Sequence, residues 1–151
     1  MSFFNNPNRI PESYGLRIAA GLIGFFLIMK LVGLGHIVEL RVLNLIILSL
    51  GIYYALKNFR RVHSDRLNYF RGLITGVSTA AVGSLVFALF LFVYMKLDTA
   101  MMQSIIENEP MGRYLNPYMG AFIVALEGVF SGFFVTFLLM NYVPSDEVNQ
   151  T

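Results

Sequence analysis

The fold class of this chain is decided by residues 72–95, which read GLITGVSTAAVGSLVFALFLFVYM. None of these residues carries a charge, and Arg71 and Lys96 border the stretch on either side. A helix needs about 20 apolar residues to cross a hydrocarbon layer that is roughly 30 Å thick. The stretch therefore predicts a transmembrane helix.

Three further apolar runs accompany this stretch, so the sequence predicts four transmembrane helices. The predicted spans are residues 16–35, 40–57, 72–95 and 118–141. The second run is short, and its helix is extended back through Arg41, whose aliphatic stem can reach the head groups. The chain is 56% hydrophobic and 13% charged, whereas soluble domains average about 25% charged residues. We therefore predict an all-α integral membrane bundle that forms one domain, residues 1–151.

The tyrosines support these spans, because all eight fall at or near a predicted span end. The tyrosine ring is apolar and its hydroxyl needs a polar partner, so tyrosine favours the membrane–water interface. We therefore expect no tyrosine in the middle of a span.

Loop charges predict the orientation of the chain. The segment between the second and third spans is strongly basic, and basic loops stay on the cytoplasmic side. Its basic residues are Lys57, Arg60, Arg61, Arg66 and Arg71. The segment after the third span is acidic, and Arg9 and Arg17 lie before or at the start of the first span. All three patterns predict that both termini are cytoplasmic (N-in, C-in).

Residues 98–109 are expected to form a short amphipathic helix on the outer side, between the third and fourth spans. Apolar residues recur here at helical spacing, namely Leu97, Met101, Met102, Ile105 and Ile106. Thr99 is a suitable N-cap, and Pro110 with Gly112 would end the helix. Such a helix would lie on the outer leaflet or over the bundle. A polar connecting loop is the alternative.

Two ionisable residues, Lys30 and Glu127, fall inside predicted spans, where charges are costly and often functional. A rise of about 1.5 Å per residue places both within ~10–14 Å of the outer face of a ~30 Å layer. They could form an ion pair if the first and fourth spans are neighbours, or a site such as a proton relay or a clamp for a charged ligand. A third possibility is separate roles, with Lys30 reaching the surface and Glu127 protonated or bonded to Ser131. Because Gly128 follows Glu127, we expect the carboxylate to face protein.

Small residues recur at one-turn spacing on the last two spans. Gly72 and Gly76 open the third span with a GxxxG pattern, and Gly128 and Gly132 form another in the fourth. In lipid, helices associate through close backbone approach, which small residues permit. The glycines therefore predict tight packing between the third and fourth spans or across a homodimer.

The sequence offers no constellation that predicts catalysis. It contains no Cys and none of the nucleophile, zinc-protease, phosphate-loop or dinucleotide motifs. His36 and His63 are predicted on opposite membrane sides, so they cannot share a metal, and we expect no metal, cofactor or catalytic residue. The basic loop is explained by topology and by anionic lipid rather than by nucleic acid.

Residues 59–76, FRRVHSDRLNYFRGLITG, are followed by a long span and by Glu127-Gly128 in the last helix. This layout resembles a bacterial family of small four-span inner-membrane proteins that carry a domain of unknown function. The resemblance implies four helices and a multi-pass location in the bacterial inner membrane, and it implies no activity.

These observations predict a non-catalytic accessory, scaffold or assembly subunit that acts through helix–helix contacts. Its expected partners are the lipid bilayer and either another membrane protein or further copies of itself. The alternative is an oligomeric transporter or channel subunit for an ion or a small molecule, using Glu127 and Lys30.

Overall fold

The computed structural model describes residues 6–33, 40–63 and 69–142. Within these ranges the chain forms five α-helices and no strand. They are α1 (Ile10–Leu31), α2 (Leu40–Val62), α3 (Tyr69–Leu97), α4 (Thr99–Asn108) and α5 (Pro117–Tyr142). All except α4 are long and apolar enough to cross a membrane. The prediction of an all-helical chain with four apolar spans is confirmed, and these helices indicate a multi-pass membrane protein.

The first helix differs most from its predicted bounds, because α1 begins six residues before residue 16 and ends four residues before residue 35. Pro11 lies in the first turn, where its missing N–H needs no partner. Gly33, whose φ of 81° lies in the left-handed region that favours glycine, follows the end of the helix. Arg17 is therefore about two turns inside α1 instead of at its start, and Lys30 lies in its last turn.

The other helices follow the prediction more closely. Helix α2 begins at the predicted residue and ends five residues beyond residue 57, while α3 and α5 are each slightly longer than predicted. The predicted amphipathic segment forms α4. Its N-cap is Asp98, whose carboxylate accepts a hydrogen bond from the backbone of Met101 at 3.1 Å, so the prediction of Thr99 as the cap was wrong. An Asp side chain reaches the first free N–H groups from just outside the helix.

Helix α3 is the centre of the bundle. It packs against both α1 and α5, and α2 packs against all three. Buried apolar side chains from each of these helices join one core, and those of α2 are Leu48, Ile52 and Leu56. Since α1 and α5 contact separate sets of α3 residues, they are not close neighbours within the described chain.

Candidate functional site

The α3–α5 interface is closed by three small-residue pairs. Gly76 faces Thr136, Ala80 faces Gly132, and Ser84 faces Gly128. A Cβ atom at any of the three glycines would overlap the opposing side chain, so the backbones approach as closely as the residue types allow. The Thr136 hydroxyl donates to the Gly132 carbonyl at 2.6 Å, which satisfies it inside the interface. The structure thus places Gly76, Gly128 and Gly132 in contact with the facing helix, and Gly72 is buried one turn earlier on α3.

A second close contact fixes the level of α1 against α3. A Cβ atom on Gly83 would lie 3.0 Å from Ile18 Cγ2 and 3.1 Å from the Gly15 carbonyl oxygen. Ile18 also fills the space beside Gly51 of α2. Ile18, Gly51 and Gly83 therefore share one level, and Gly83 is the middle residue of α3.

Lys30 is paired at one end of the bundle. Its ammonium group forms a salt bridge with Asp98 and donates a hydrogen bond to the Tyr94 hydroxyl. It also lies 4.3 Å from the centre of the Tyr94 ring. The hydrogen bond from Lys30 and the backbone N–H of Met101 hold the pKa of Asp98 below its ordinary value. This cluster joins the end of α1 to the connection between α3 and α4.

The structure therefore does not show the predicted pairing of Lys30 with Glu127. Because α1 begins early, Lys30 is carried to the end of the bundle, opposite Tyr94 and Asp98. Glu127 lies next to Gly128, which faces Ser84. About ten residues of α3 separate the two levels, which is roughly 15 Å along a helix axis.

Glu127 lies on the outward side of α5 and is exposed. Consecutive residues of a helix point about 100° apart, so Gly128 contacts α3 while Glu127 does not, and the expectation that its carboxylate faces protein was wrong. In the part of the chain that the structure describes, no side chain forms an ion pair with Glu127. Its neighbours on the surface are Phe130 and Phe134, which are 64% and 67% exposed.

Arg17 is a second charge at the level of the bundle centre, and sequence reasoning missed it. It precedes Ile18, which packs against the middle of α3. Arg17 lines a cleft of about 330 Å³ between α1 and α2, and its guanidinium lies 4.8 Å from the centre of the Tyr14 ring. Pro11, the second residue of α1, was the sequence signal that could have placed the predicted start of the helix closer to Ile10.

The same cleft corrects the expectation for tyrosine. Tyr14 and Tyr54 line it together with Ile18, Ile47 and Gly51. Tyr54 lies three residues from Gly51, about 4.5 Å along α2, so it is close to the middle of the bundle. Tyr54 is therefore not at a span end, and the Tyr14 ring lies beside the Arg17 guanidinium.

Helix α4 lies over the end of the bundle that holds Lys30. Met102 is buried in the main core and Ile105 packs against it. The end of α4 is also tied to the start of α2, because Arg41 and Glu109 form an ion pair of 3.5 Å. The apolar face of α4 thus covers protein.

The histidine that the structure describes, His63, is not grouped with other potential metal ligands. His63 stacks on Phe59 with ring centres 4.5 Å apart, whereas His36 and Glu39 lie outside the described residues. Among residues 6–33, 40–63 and 69–142, no three acidic or histidine side chains are grouped as metal ligands.

The profile of a protein family described as "protein of unknown function (DUF4199)" matches residues 13–141. The chain belongs to the DUF4199 family. The match includes all of α2 and α3 and most of α1 and α5, which confirms the resemblance seen in the sequence. Comparison of this DUF4199 protein with curated proteins and with solved structures gives no significant match. Its function must therefore be inferred from its own charges and surfaces.

Proposed function

We propose that this DUF4199 protein is a non-catalytic accessory or assembly subunit of the membrane, and that it acts through lateral helix contacts. The contact surface is a stripe on α5, which we call the α5 face. It consists of Ile123, Glu127, Phe130, Phe134 and Phe137, all exposed. Their spacing of four and three residues keeps them in one line along the helix.

The observation that carries this proposal is the position of Glu127. It lies ten residues from the start of a 26-residue apolar helix, on the side away from the bundle. An ionisable side chain at the centre of a membrane helix costs about 2.5–3.5 kcal/mol even on insertion scales. A partner helix that offers a cation or a hydrogen-bond donor removes much of that cost, so Glu127 favours association.

The low coverage of α5 supports the same conclusion. Only 11% of its most apolar window is buried within the chain, compared with 44% for α3. Four of the five residues of the α5 face are large and apolar, and three are aromatic. In lipid such a surface gains by packing against another helix, through van der Waals contact and interhelical hydrogen bonds.

We also propose a location in the bacterial inner membrane with both termini cytoplasmic. The end of α2 and the start of α3 carry Lys57, Arg60, Arg61 and Arg71, and basic loops remain inside. Helix α4 would then lie on the outer side. A reporter fused at Asn108 should be read as external, and a cytoplasmic reading would contradict this topology.

The transport alternative would place Glu127 in a pathway between copies of the chain. Within one chain, Lys30 is held by Asp98 and Tyr94 at a different depth. A transport site formed with Glu127 would therefore use another cation.

The test compares the native protein with Glu127→Leu and with Leu85→Ala. Leu85 is exposed on α3 at the level of Glu127, so it is a control for surface changes at the same depth. The tagged proteins are extracted into native-like lipid particles, and the mass and stoichiometry of each assembly are measured. We expect a stoichiometric partner, either a membrane protein or another copy, with the native chain and with Leu85→Ala. Glu127→Leu should reduce it by about tenfold, or roughly 1.4 kcal/mol. A native chain that is monomeric and alone would contradict the proposal.

A further inference from the structure

The α5 face is part of a longer line of residues with the spacing of a coiled coil. Intervals of four and three residues alternate along the α5 face, and the next interval of four reaches Asn141, which is also exposed. We call the α5 face together with Asn141 the α5 line. Alternating intervals of four and three residues place side chains at the a and d positions of a heptad repeat. Helices with such a line pack side by side in membranes much as they do in soluble coiled coils.

The side of α5 that packs on α3 has a different repeat. Its contact residues, Gly128, Gly132 and Thr136, recur every four residues, which is the spacing of close helix contacts through small side chains. Gly132 is two residues from both Phe130 and Phe134, or about 160° around the helix. The α5 line is therefore on the far side of α5 from α3, and the fold of one chain leaves it exposed.

Glu127 and Asn141 are the polar members of the α5 line. They are fourteen residues apart, which is two heptads, so they occupy the same heptad position. A carboxyl group that holds a proton has both a donor and an acceptor, and an amide has two N–H donors and an acceptor oxygen. One N–H of Asn141 donates to the Phe137 carbonyl at 3.1 Å. Each of these two polar groups can hydrogen-bond to an identical group, whereas a lysine or arginine side chain has no acceptor with which to do so.

The depth of Glu127 favours a second copy of this chain as the partner. Glu127 precedes Gly128, which faces Ser84 near the middle of α3, and the charge-free run of residues 72–95 places that level near the bilayer centre. Copies that insert in the same direction present each residue at the same depth. In two parallel helices related by a two-fold axis, identical heptad positions lie opposite each other. Such a pair brings the two Glu127 side chains together where both are far from water.

We infer that two copies of the chain associate through a parallel, two-fold contact between their α5 helices, in which the two Glu127 side chains form a hydrogen-bonded carboxyl pair. Two ionised carboxylates in contact would repel each other, so the pair holds at least one proton. Phe130, Phe134 and Phe137 meet the same residues of the second copy in neighbouring layers, where aromatic rings pack edge to face or offset. This inference rests on the proposed function, because it names the occupant of the α5 face.

The absence of Cys from the chain allows the contact to be tested by disulfide cross-linking in native membranes with a membrane-permeant oxidant. A single Phe134→Cys should join two copies, because identical positions of the α5 line lie opposite each other. The matched control is Phe133→Cys, since Phe133 is the adjacent phenylalanine and is also exposed but points about 100° away. Its yield should be about tenfold lower, because a disulfide needs Cβ atoms about 4 Å apart. Equal yields from the two variants would overturn the inference.

Substitutions of Glu127 then test the carboxyl pair in the Phe134→Cys chain. Glu127→Gln keeps a donor and an acceptor on each copy, so it should retain most of the cross-linking. Glu127→Leu cannot form a hydrogen bond and should lower the yield about tenfold, or roughly 1.4 kcal/mol. Both substitutions remove an ionisable group from an apolar helix, so neither opposes insertion. If Glu127→Gln loses as much as Glu127→Leu, Glu127 binds a cation, and the carboxyl pair is overturned. If Glu127→Leu loses nothing, the pair is overturned as well.

The remaining outcomes separate this inference from the proposed function. The native chain could be extracted with a different membrane protein in fixed stoichiometry while Phe134→Cys joins no second copy. In that case the two-fold contact is overturned and the α5 face remains a contact surface. If the native chain is monomeric and alone in native-like lipid particles, both are overturned.

Discussion

One side of α5 packs against α3 through glycine, alanine, serine and threonine, whereas the other side exposes phenylalanine and a carboxylate. On the closed side, Gly128 and Gly132 let two backbones approach until no further atom fits. On the open side, the large side chains of the α5 face stay exposed in the described chain. The contrast favours the proposal that α5 makes two contacts, of which the folded chain itself makes one.

The difference follows from what each surface can gain in lipid. Apolar side chains lose little by facing acyl chains, so burial alone does not drive the folding of a membrane bundle. Close backbone approach is gained only where both surfaces carry small residues, as at Ala80 and Gly132. A charge gains most of all from a partner, and Glu127 lacks one inside the described chain.

The largest difference is expected between truncating a buried side chain of the bundle and truncating a side chain of the α5 face. Leu91→Ala removes a buried core side chain of α3 and should lower the free energy of unfolding by about 2–5 kcal/mol. Phe134→Ala on the α5 face should change it by less than about 0.5 kcal/mol, as at other surface positions, because lipid refills the space. Reversible unfolding of the monomer in detergent measures both. Equal losses would mean that the α5 face is already covered within the chain.

A smaller effect is expected from adding one methyl group. Gly132→Ala places a Cβ against that of Ala80, and such overpacking costs about 1–3 kcal/mol. Gly24→Ala is the matched control, since its added Cβ meets no described atom within 4 Å. The control should be neutral or slightly stabilising, because alanine favours the helix. If both variants unfold alike, the close approach of α3 and α5 contributes nothing to stability.

The smallest effect concerns a charge that does have its partner. Lys30 holds the pKa of Asp98 below its ordinary value of 3.8. A carboxylate whose pKa is lower in the folded chain stabilises it above its unfolded pKa, and this contribution is lost as the pH falls through the folded pKa. Unfolding midpoints should therefore fall as the pH drops below about 4.

Asp98→Asn should remove this part of the pH dependence, and Glu107→Gln, an exposed carboxyl of α4, should leave it in place. An unchanged pH profile in Asp98→Asn would contradict the pairing with Lys30. In a double-mutant cycle, Lys30→Met and Asp98→Asn should be non-additive.

The helices themselves could be predicted because the rule that forms them is local. In lipid every backbone group must bond within its own helix, so a long apolar run is sufficient to define a span. The charge-free residues 72–95 gave α3 within three residues at either end. The first span was predicted less well, since Ser13 and Tyr14 interrupt the apolar pattern near the true start at Ile10.

The partners of the charges could not be predicted, because they depend on register. The predicted span began six residues after the true start of α1, a difference of about 9 Å along the helix axis. The earlier start takes Lys30 to Asp98 at the end of the bundle and brings Arg17 to its centre. Glu127 likewise lies on the outward side because the adjacent residue, Gly128, is the one that contacts α3.

The sequence by itself determined that this is a four-span helical chain, that its last two spans can pack closely, and that charges within the spans are its unusual residues. Those properties follow from composition and spacing along single helices. Only the tertiary structure decided that Lys30 binds Asp98, that Arg17 and Glu127 share one depth, and that Glu127 faces outward. Each of these depends on how one helix is rotated and shifted against another, and close packing between helices fixes that arrangement only when the whole bundle is assembled.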